Sequence, residues 1–302
     1  MEWRANCFAP TGSLGSGALP KRVRSMRVRA PNWDFTGLKA HWAPNAEFAQ
    51  IHNAASTVPA YIEPYLLKVM RRAREKLGPE HAALREKLDV FMRQEMAHFR
   101  QHLAFNAAIH ADGYESMLEI EKDYEADYER FLKTRSLRWN CAYSEGFEAM
   151  SAIAVTNFFE AFDEFFEGAD PRAVEMWKWH LAEEYEHREV AHDVFQALFG
   201  RNPILGYVWR IYGFIYAVRH IRAHGQRLSR HLIALDRAGM TPEEVEASRR
   251  RVAHINAVTG RRAREHLKAI LSPWYRPKNR PAPKGVEAFL ARIEAGRTAS
   301  AA

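Results

Sequence analysis

The chain has 302 residues, 47% of them hydrophobic and 27% charged, a balance that excludes global disorder and allows a sizeable core. Its net charge of +7 is uneven: residues 201–302 hold 20 Lys and Arg against 7 Asp and Glu, a net +13, which leaves −6 for residues 1–200. No RNP, zinc-finger or helix-turn-helix signature accompanies the basic part, so nucleic acid is not an expected partner. Two cysteines, Cys7 and Cys141, exclude a disulfide scaffold and a Cys-based zinc site, and make a reducing, cytoplasmic compartment the default expectation.

Residues 1–45 read as an irregular N-terminal arm, punctuated by Pro and Gly. Its basic residues (Lys21, Arg22, Arg24, Arg27 and Arg29) precede no apolar stretch, so no secretory signal is read there. Helical periodicity runs from Ala46 to about Lys76, where Pro59 and Pro64 predict a kink or a late start. Gly78-Pro79 opens a second helix that reaches about Ala111 and stops at Asp112-Gly113. The charged connection YESMLEIEKDYEADYERFLKT reads as helical too. A third long helix is predicted from Ser136 to Glu167. A fourth is predicted from the Asp170-Pro171 cap to Phe199. Two further helices, roughly 203–239 and 242–271, precede SPWYRPKNRPAP and a short terminal helix. The most apolar stretch, Pro203 to Val218, carries Arg210 in its middle and reads as a buried or membrane-surface helix rather than a span. The expected fold is all-α. Residues 46–200 form a ferritin-like four-helix bundle with one long crossover, and the basic C-terminal helices of 201–302 pack on it.

Chemistry concentrates in two ExxH pairs, Glu95 with His98 on the second helix and Glu184 with His187 on the fourth. Positions i and i+3 share a helix face, so each pair aims a carboxylate and an imidazole at one point. His180, four before Glu184, lies on the same stripe. Di-iron and di-manganese bundles also need one Glu from each remaining helix. Glu63, among apolar neighbours, is the choice on the first helix. Glu148 is preferred on the third to Glu145, one turn earlier, and to Glu160, about 120° around the helix. His102, seven after Glu95 on the same stripe, reads either as a support behind a ligand or, preferably, as a core-edge histidine. Glu183, Glu186, Glu189 and His192 fall on other faces, in hydrogen-bonding or solvated positions. Burying Glu63, Glu95, Glu148 and Glu184 unpaired costs several kcal/mol per ion, and their stripes carry no obvious Lys or Arg partner for all four. Two divalent metals bring the missing charge, with His98, His180 and His187 as neutral ligands. A donor set without thiolate suits two iron ions, with manganese as the alternative. HExxH, Walker A, Rossmann and G-x-S-x-G motifs are absent.

The blocks FMRQEMAHFRQH, SEGFEAMSA and WKWHLAEEYEHREVAHDVF resemble the signatures of the family named predicted metal-dependent hydrolases, related to ferritin-like di-iron proteins. The likeness spans roughly residues 27 to 280 and includes VRAPNWDF and PWYRP. The ligand pattern is also similar to that of di-iron arylamine N-oxygenases. That match implies His180 as a third histidine one turn before the helical ExxH, beside Glu63, Glu95, His98, Glu148, Glu184 and His187. At His192 relatives carry an aromatic residue, which implies an altered pocket wall. The expected function is a di-iron enzyme that activates O2 to oxidise a hydrophobic small molecule with the help of an electron donor. The alternatives are a metal-dependent hydrolase using a metal-bridging hydroxide, or a non-catalytic ferritin-like metal-binding protein. Peripheral membrane contact and a homodimer are compatible with the same reading.

Overall fold

The computed structural model describes residues 26–29 and 31–300, with side chains to 295. The expectation of an irregular arm over 1–45 therefore lies partly outside the described residues. Among those residues the chain is helical and has no strand. In chain order the helices are α1 (Ala46–Lys76), α2 (Ala82–Ile109), α3 (Met117–Thr134), α4 (Leu137–Glu160), α5 (Asp163–Phe166), α6 (Pro171–His187), α7 (Val190–Phe199), α8 (Pro203–Arg237), α9 (Pro242–Gly260), α10 (Ala263–Ile270) and α11 (Val286–Ser300).

Asn45 starts α1 by accepting from the Phe48 N–H at 3.0 Å. The helix then runs unbroken through Pro59 and Pro64, against the expectation of a late start. Each proline removes one backbone hydrogen bond. Twenty of the 31 residues of α1 are buried, however, and the helix packs against α2, α3, α4 and α8. Its tertiary contacts keep it helical through a local penalty. The third predicted helix ends earlier than expected, at Glu160, because the Asn157 carbonyl accepts from both Ala161 N and Phe162 N. The fourth is split into α6 and α7. Arg188 Nη1 donates to the Tyr185 carbonyl at 2.6 Å, so a side chain takes an acceptor at the end of α6. The stretch predicted over 242–271 is likewise divided, into α9 and α10.

Helices α4 and α8 cross in very close contact. A Cβ on Gly146 would lie 2.7 Å from Phe214 Cα, and one on Gly213 would lie 2.3 Å from the Ala142 carbonyl oxygen. Gly213→Ala should therefore destabilise the chain by about 1–3 kcal/mol through overpacking, although alanine is the better helix former. A thermal or denaturant melt checks this, and an unchanged midpoint would show that the crossing can relax. The outer side of α8 leaves Ile204, Val208, Tyr212 and Ile215 exposed, while Arg210, Gly213, Phe214 and Ala217 face inward. No helix among the described residues is long and apolar enough to cross a membrane.

Two apolar clusters flank a polar layer. One gathers Trp42, Phe48, Phe105, Phe158 and Trp177; the other gathers Leu66, Phe91, Phe131, Trp139 and Phe195. Along α2 the sequence passes from Phe91 in one cluster, through Glu95, His98 and His102, to Phe105 in the other. Similar transitions on α4 and between α6 and α7 put Glu148, Glu184 and His187 at the same level. This belt is the candidate site.

Candidate metal centre

Seven acidic and imidazole side chains from α1, α2, α4 and α6 meet in the belt, none more than 4% exposed. They form two overlapping groups. Glu63, His98, His180 and Glu184 each offer a donor atom within 4.8 Å of the others, and so do Glu95, Glu148, Glu184 and His187. Glu184 belongs to both. Its Oε1 lies 3.1 Å from His180 Nε2, 3.3 Å from His187 Nε2 and 3.9 Å from His98 Nδ1. His180 Nε2 also faces Glu63 Oε1 at 3.3 Å, and His187 Nε2 faces Glu95 Oε1 at 3.1 Å and Glu148 Oε2 at 3.6 Å. All seven residues chosen from spacing come together. Glu145 and Glu160 do not join them: Glu145 Oε1 pairs with His192 Nδ1 at 3.0 Å, and Glu160 pairs with Arg262.

The electrostatics of this group do not close with protein atoms. Both oxygens of Glu63, Glu95 and Glu148, Oε2 of Glu184, Nδ1 of His98 and Nε2 of His187 are buried without a hydrogen-bond partner. Among the described residues no Lys or Arg pairs with any of the four carboxylates. Burial, then the neighbouring carboxylates, pushes Glu63, Glu95 and Glu148 well above the ordinary range. Glu184 goes the other way: burial opposes its charge, but His187 and His180 hold it well below that range. Protonation would satisfy only part of the set: His187 Nε2, 3.1 Å from Glu95 Oε1 and 3.6 Å from Glu148 Oε2, can accept one O–H and not both. Cations at the shared centre would satisfy the carboxylate oxygens and the two free imidazole nitrogens together, so the residues fit a pair of divalent metal ions.

The far nitrogen of each histidine is held from behind. His98 Nε2–H donates to Glu183 Oε2 at 3.0 Å, leaving Nδ1 toward the carboxylates. His187 Nδ1–H donates to Gln94 Oε1 at 3.2 Å. His180 Nδ1 and His102 Nε2 are 2.7 Å apart, and His102 Nδ1 reaches Ser56 Oγ at 2.8 Å. One tautomer set serves the whole chain: His180 donates to His102, which donates to Ser56, and His180 Nε2 keeps its lone pair for the centre. Such contacts behind a ligand fix the ring and its tautomer.

These contacts correct several expectations. His102 is fully buried and bonded to His180 rather than sitting at the edge of the core. For Glu183 the hydrogen-bonding alternative holds and the solvated one does not, since it is buried. Its carboxyl is pushed up to about 8 by burial, against the pull of Arg29. Arg29 Nη1 lies 2.9 Å from both Glu183 Oε1 and Glu186 Oε2, and Nη2 reaches Glu186 Oε1 at 3.1 Å and Glu294 Oε1 at 2.6 Å. Gln94 Nε2 also donates to Glu186 Oε2 at 2.9 Å. Arg29 is therefore the hub behind both His98 and His187, although it lies in a segment read as an irregular arm. Only the VRAPNWDF block signalled it. Of the outer residues, Glu189 alone behaves as a simple surface charge, pairing with Lys87.

With cations in both donor groups, Glu183→Gln should weaken binding in the group of Glu63, His98 and His180 by about 10- to 100-fold, and in the other only slightly. Metal titration reads this directly, and equal weakening of both ions would mean that Glu183 does not act through His98. Arg29→Met, which strands Glu183 and Glu186, should cost about 3–5 kcal/mol of stability in a denaturant melt.

A family model described as predicted metal-dependent hydrolase matches residues 27–282. The chain belongs to this family. No curated protein and no solved structure was found to match. In this member of the predicted metal-dependent hydrolases, a cavity of about 230 Å³ opens beside Glu148, between α4, the end of α6, α10 and the proline-rich segment 275–283. His192, buried and bonded to Glu145, packs its ring against Tyr275 of that wall, with ring centres 5.6 Å apart.

Proposed function

We propose that this chain is a metal-dependent hydrolase working with two divalent cations. Glu63, His98 and His180 would hold one and Glu95, Glu148 and His187 the other, with Glu184 between them. The observation that carries the reading is the pair of overlapping, fully buried donor groups whose carboxylate oxygens have no other partner. The helical pattern, an ExxH pair on each of α2 and α6 and one Glu from each of α1 and α4, supports a ferritin-like bundle as the scaffold. The family's description supports hydrolysis. Two cations balance the four carboxylates, and when bound they supply Lewis acidity and lower the pKa of coordinated water. The chain's own residues do the rest. Glu183, His102 and Gln94 hold the three rings in one tautomer each. The two apolar clusters exclude bulk water, and the cavity beside Glu148 admits substrate.

The donor set favours a second reading. Four carboxylates and three imidazoles without thiolate suit iron or manganese, the composition of di-iron carboxylate bundles. On that reading the chain oxidises a small molecule with O2 and an external electron donor. Metal analysis of protein purified without air should give two metals per chain. An O2 pulse on the iron-loaded protein and a panel of ester and phosphoester substrates then separate the readings. Hydrolytic turnover without O2 consumption supports the first. Stoichiometric O2 uptake without hydrolysis overturns it in favour of the second.

A further inference from the structure

The cavity beside Glu148 has an unusual charge arrangement. Arg280 in its wall is half-buried. Its Nη2 donates to His266 Nδ1, and its Nη1 is buried with no hydrogen-bond partner. His266 is fixed in turn by Thr156: Oγ1 lies 3.2 Å from His266 Nε2 and spends its own hydrogen on the Ala152 carbonyl. The imidazole is therefore a neutral acceptor that orients Arg280 rather than a competing cation. Burial, then Arg280, pushes it down to about 4.

Arg188 stands in the same wall. Its guanidinium donates to the carbonyls of Pro277, Tyr185 and Lys278, so it is clamped by backbone and neutralised by no carboxylate among the described residues. The third arginine, Arg262, differs: it pairs with Glu160, whose other oxygen accepts from the Lys284 N–H. Glu265 lines the cavity but is exposed to solvent. The remaining surface, with Ala152, Val155 and Pro281, is apolar. Two guanidinium groups without counter-ions among the described residues, an apolar wall and a candidate metal-site carboxylate line one cavity, which describes a receptor for a small amphiphilic anion.

We propose that this cavity binds a small organic anion with an apolar body, its carboxylate or phosphate end on Arg280 and Arg188 and its reacting end toward Glu148. The last clause rests on the reading of Glu148 as a metal-site residue. A guanidinium with free N–H groups matches either oxyanion in a two-point contact, which an ammonium cannot. A volume near 230 Å³ is below the usual ~300–1,000 Å³ of ligand pockets, so the molecule is small. The substrate expected from the sequence is hydrophobic; the cavity keeps that body and adds a charged end.

The test is calorimetric titration of the full-length, metal-loaded protein with benzoate, phenyl phosphate and neutral benzamide, repeated after metal removal. One or both anions should bind, benzamide at least tenfold more weakly, and whichever anion is tighter names the charged end. Arg280→Met should weaken the anion by tenfold or more at unchanged metal content, and Arg280→Lys should retain part of the affinity. Ala152→Trp, from a half-buried position in the cavity wall, fills the space without touching either arginine, should abolish binding and guards against a misfolded Arg280 variant. Benzamide binding as tightly as benzoate, or no anion binding to the intact chain, overturns the proposal. So does anion binding that survives Arg280→Met and vanishes on metal removal, since the anion then sits on the metal. Arg280-dependent binding by a chain that takes up no metal would uphold the anion site while overturning the metal reading and the orientation toward Glu148.

Discussion

Glu184→Ala is expected to remove both metal ions and to lower turnover by about a thousandfold, the several kcal/mol that Lewis-acid stabilisation contributes. The size of the effect follows from position. Glu63 and His98 reach one donor group and Glu95 and Glu148 the other, but Glu184 Oε1 faces the histidines of both. Replacing Glu148 alone should cost mainly one ion. Glu145→Gln, one helical turn away and held by His192 instead, should keep both. Elemental analysis of the three variants beside the parent chain reads the difference. Two ions retained in Glu184→Ala would remove Glu184 from the centre.

Metal removal is expected to make stability strongly pH-dependent, with a sign that the buried groups determine. Glu63, Glu95 and Glu148 are raised in the folded chain above the ordinary 4.5, by burial and then by one another. Between 4.5 and their folded values the folded chain binds more protons than the unfolded one. Their contribution is fully present below 4.5 and is lost as pH rises, by about 1.4 kcal/mol per pH unit for each carboxyl that remains protonated. His98 and His102 act in the opposite direction. Burial and then His180 lower them below 6.5, so their contribution is present above 6.5 and is lost as pH falls below it. The metal-free chain should therefore be most stable in mildly acidic solution and weaken steadily above it. Two divalent cations held by these carboxylates would displace those protons and add about 4 kcal/mol at a thousandfold excess over Kd. Denaturant melts at pH 6 and pH 8, with chelator and with metal, test this. A metal-free chain equally stable at both values would show that the carboxylates are not buried as described.

The helical class and the seven belt residues were legible because both depend on periodicity within one helix. Glu95 and His98, or His180, Glu184 and His187, share a face whatever packs against it. Charge added a second constraint: four carboxylates on apolar stripes without cationic partners already asked for a cation from outside the chain. The contacts behind the belt residues were not legible. Glu183 and Glu186 lie on faces that look solvated on an isolated helix, yet the first is buried and the second half-buried because Arg29, more than 150 residues earlier, crosses over them. His102 looked peripheral because its partners, Ser56 and His180, come from two other helices. The break after His187 was hidden too: Arg188 takes the Tyr185 carbonyl while its guanidinium is held by the carbonyls of Pro277 and Lys278, far along the chain.

What the sequence determined by itself was local: which residues share a helix face, where the Asp170-Pro171 cap begins a helix, and how much unpaired acid the interior would carry. The tertiary structure alone decided that Glu184 stands between two donor groups, that Arg29 anchors the residues behind His98 and His187, and that Arg188 and Arg280 face one cavity at the edge of the belt. The physical reason is range. Helix periodicity acts over a few residues, whereas burial, charge pairing and cavity shape depend on segments brought together from 100 or more residues apart, and no spacing in the chain records which ones will meet.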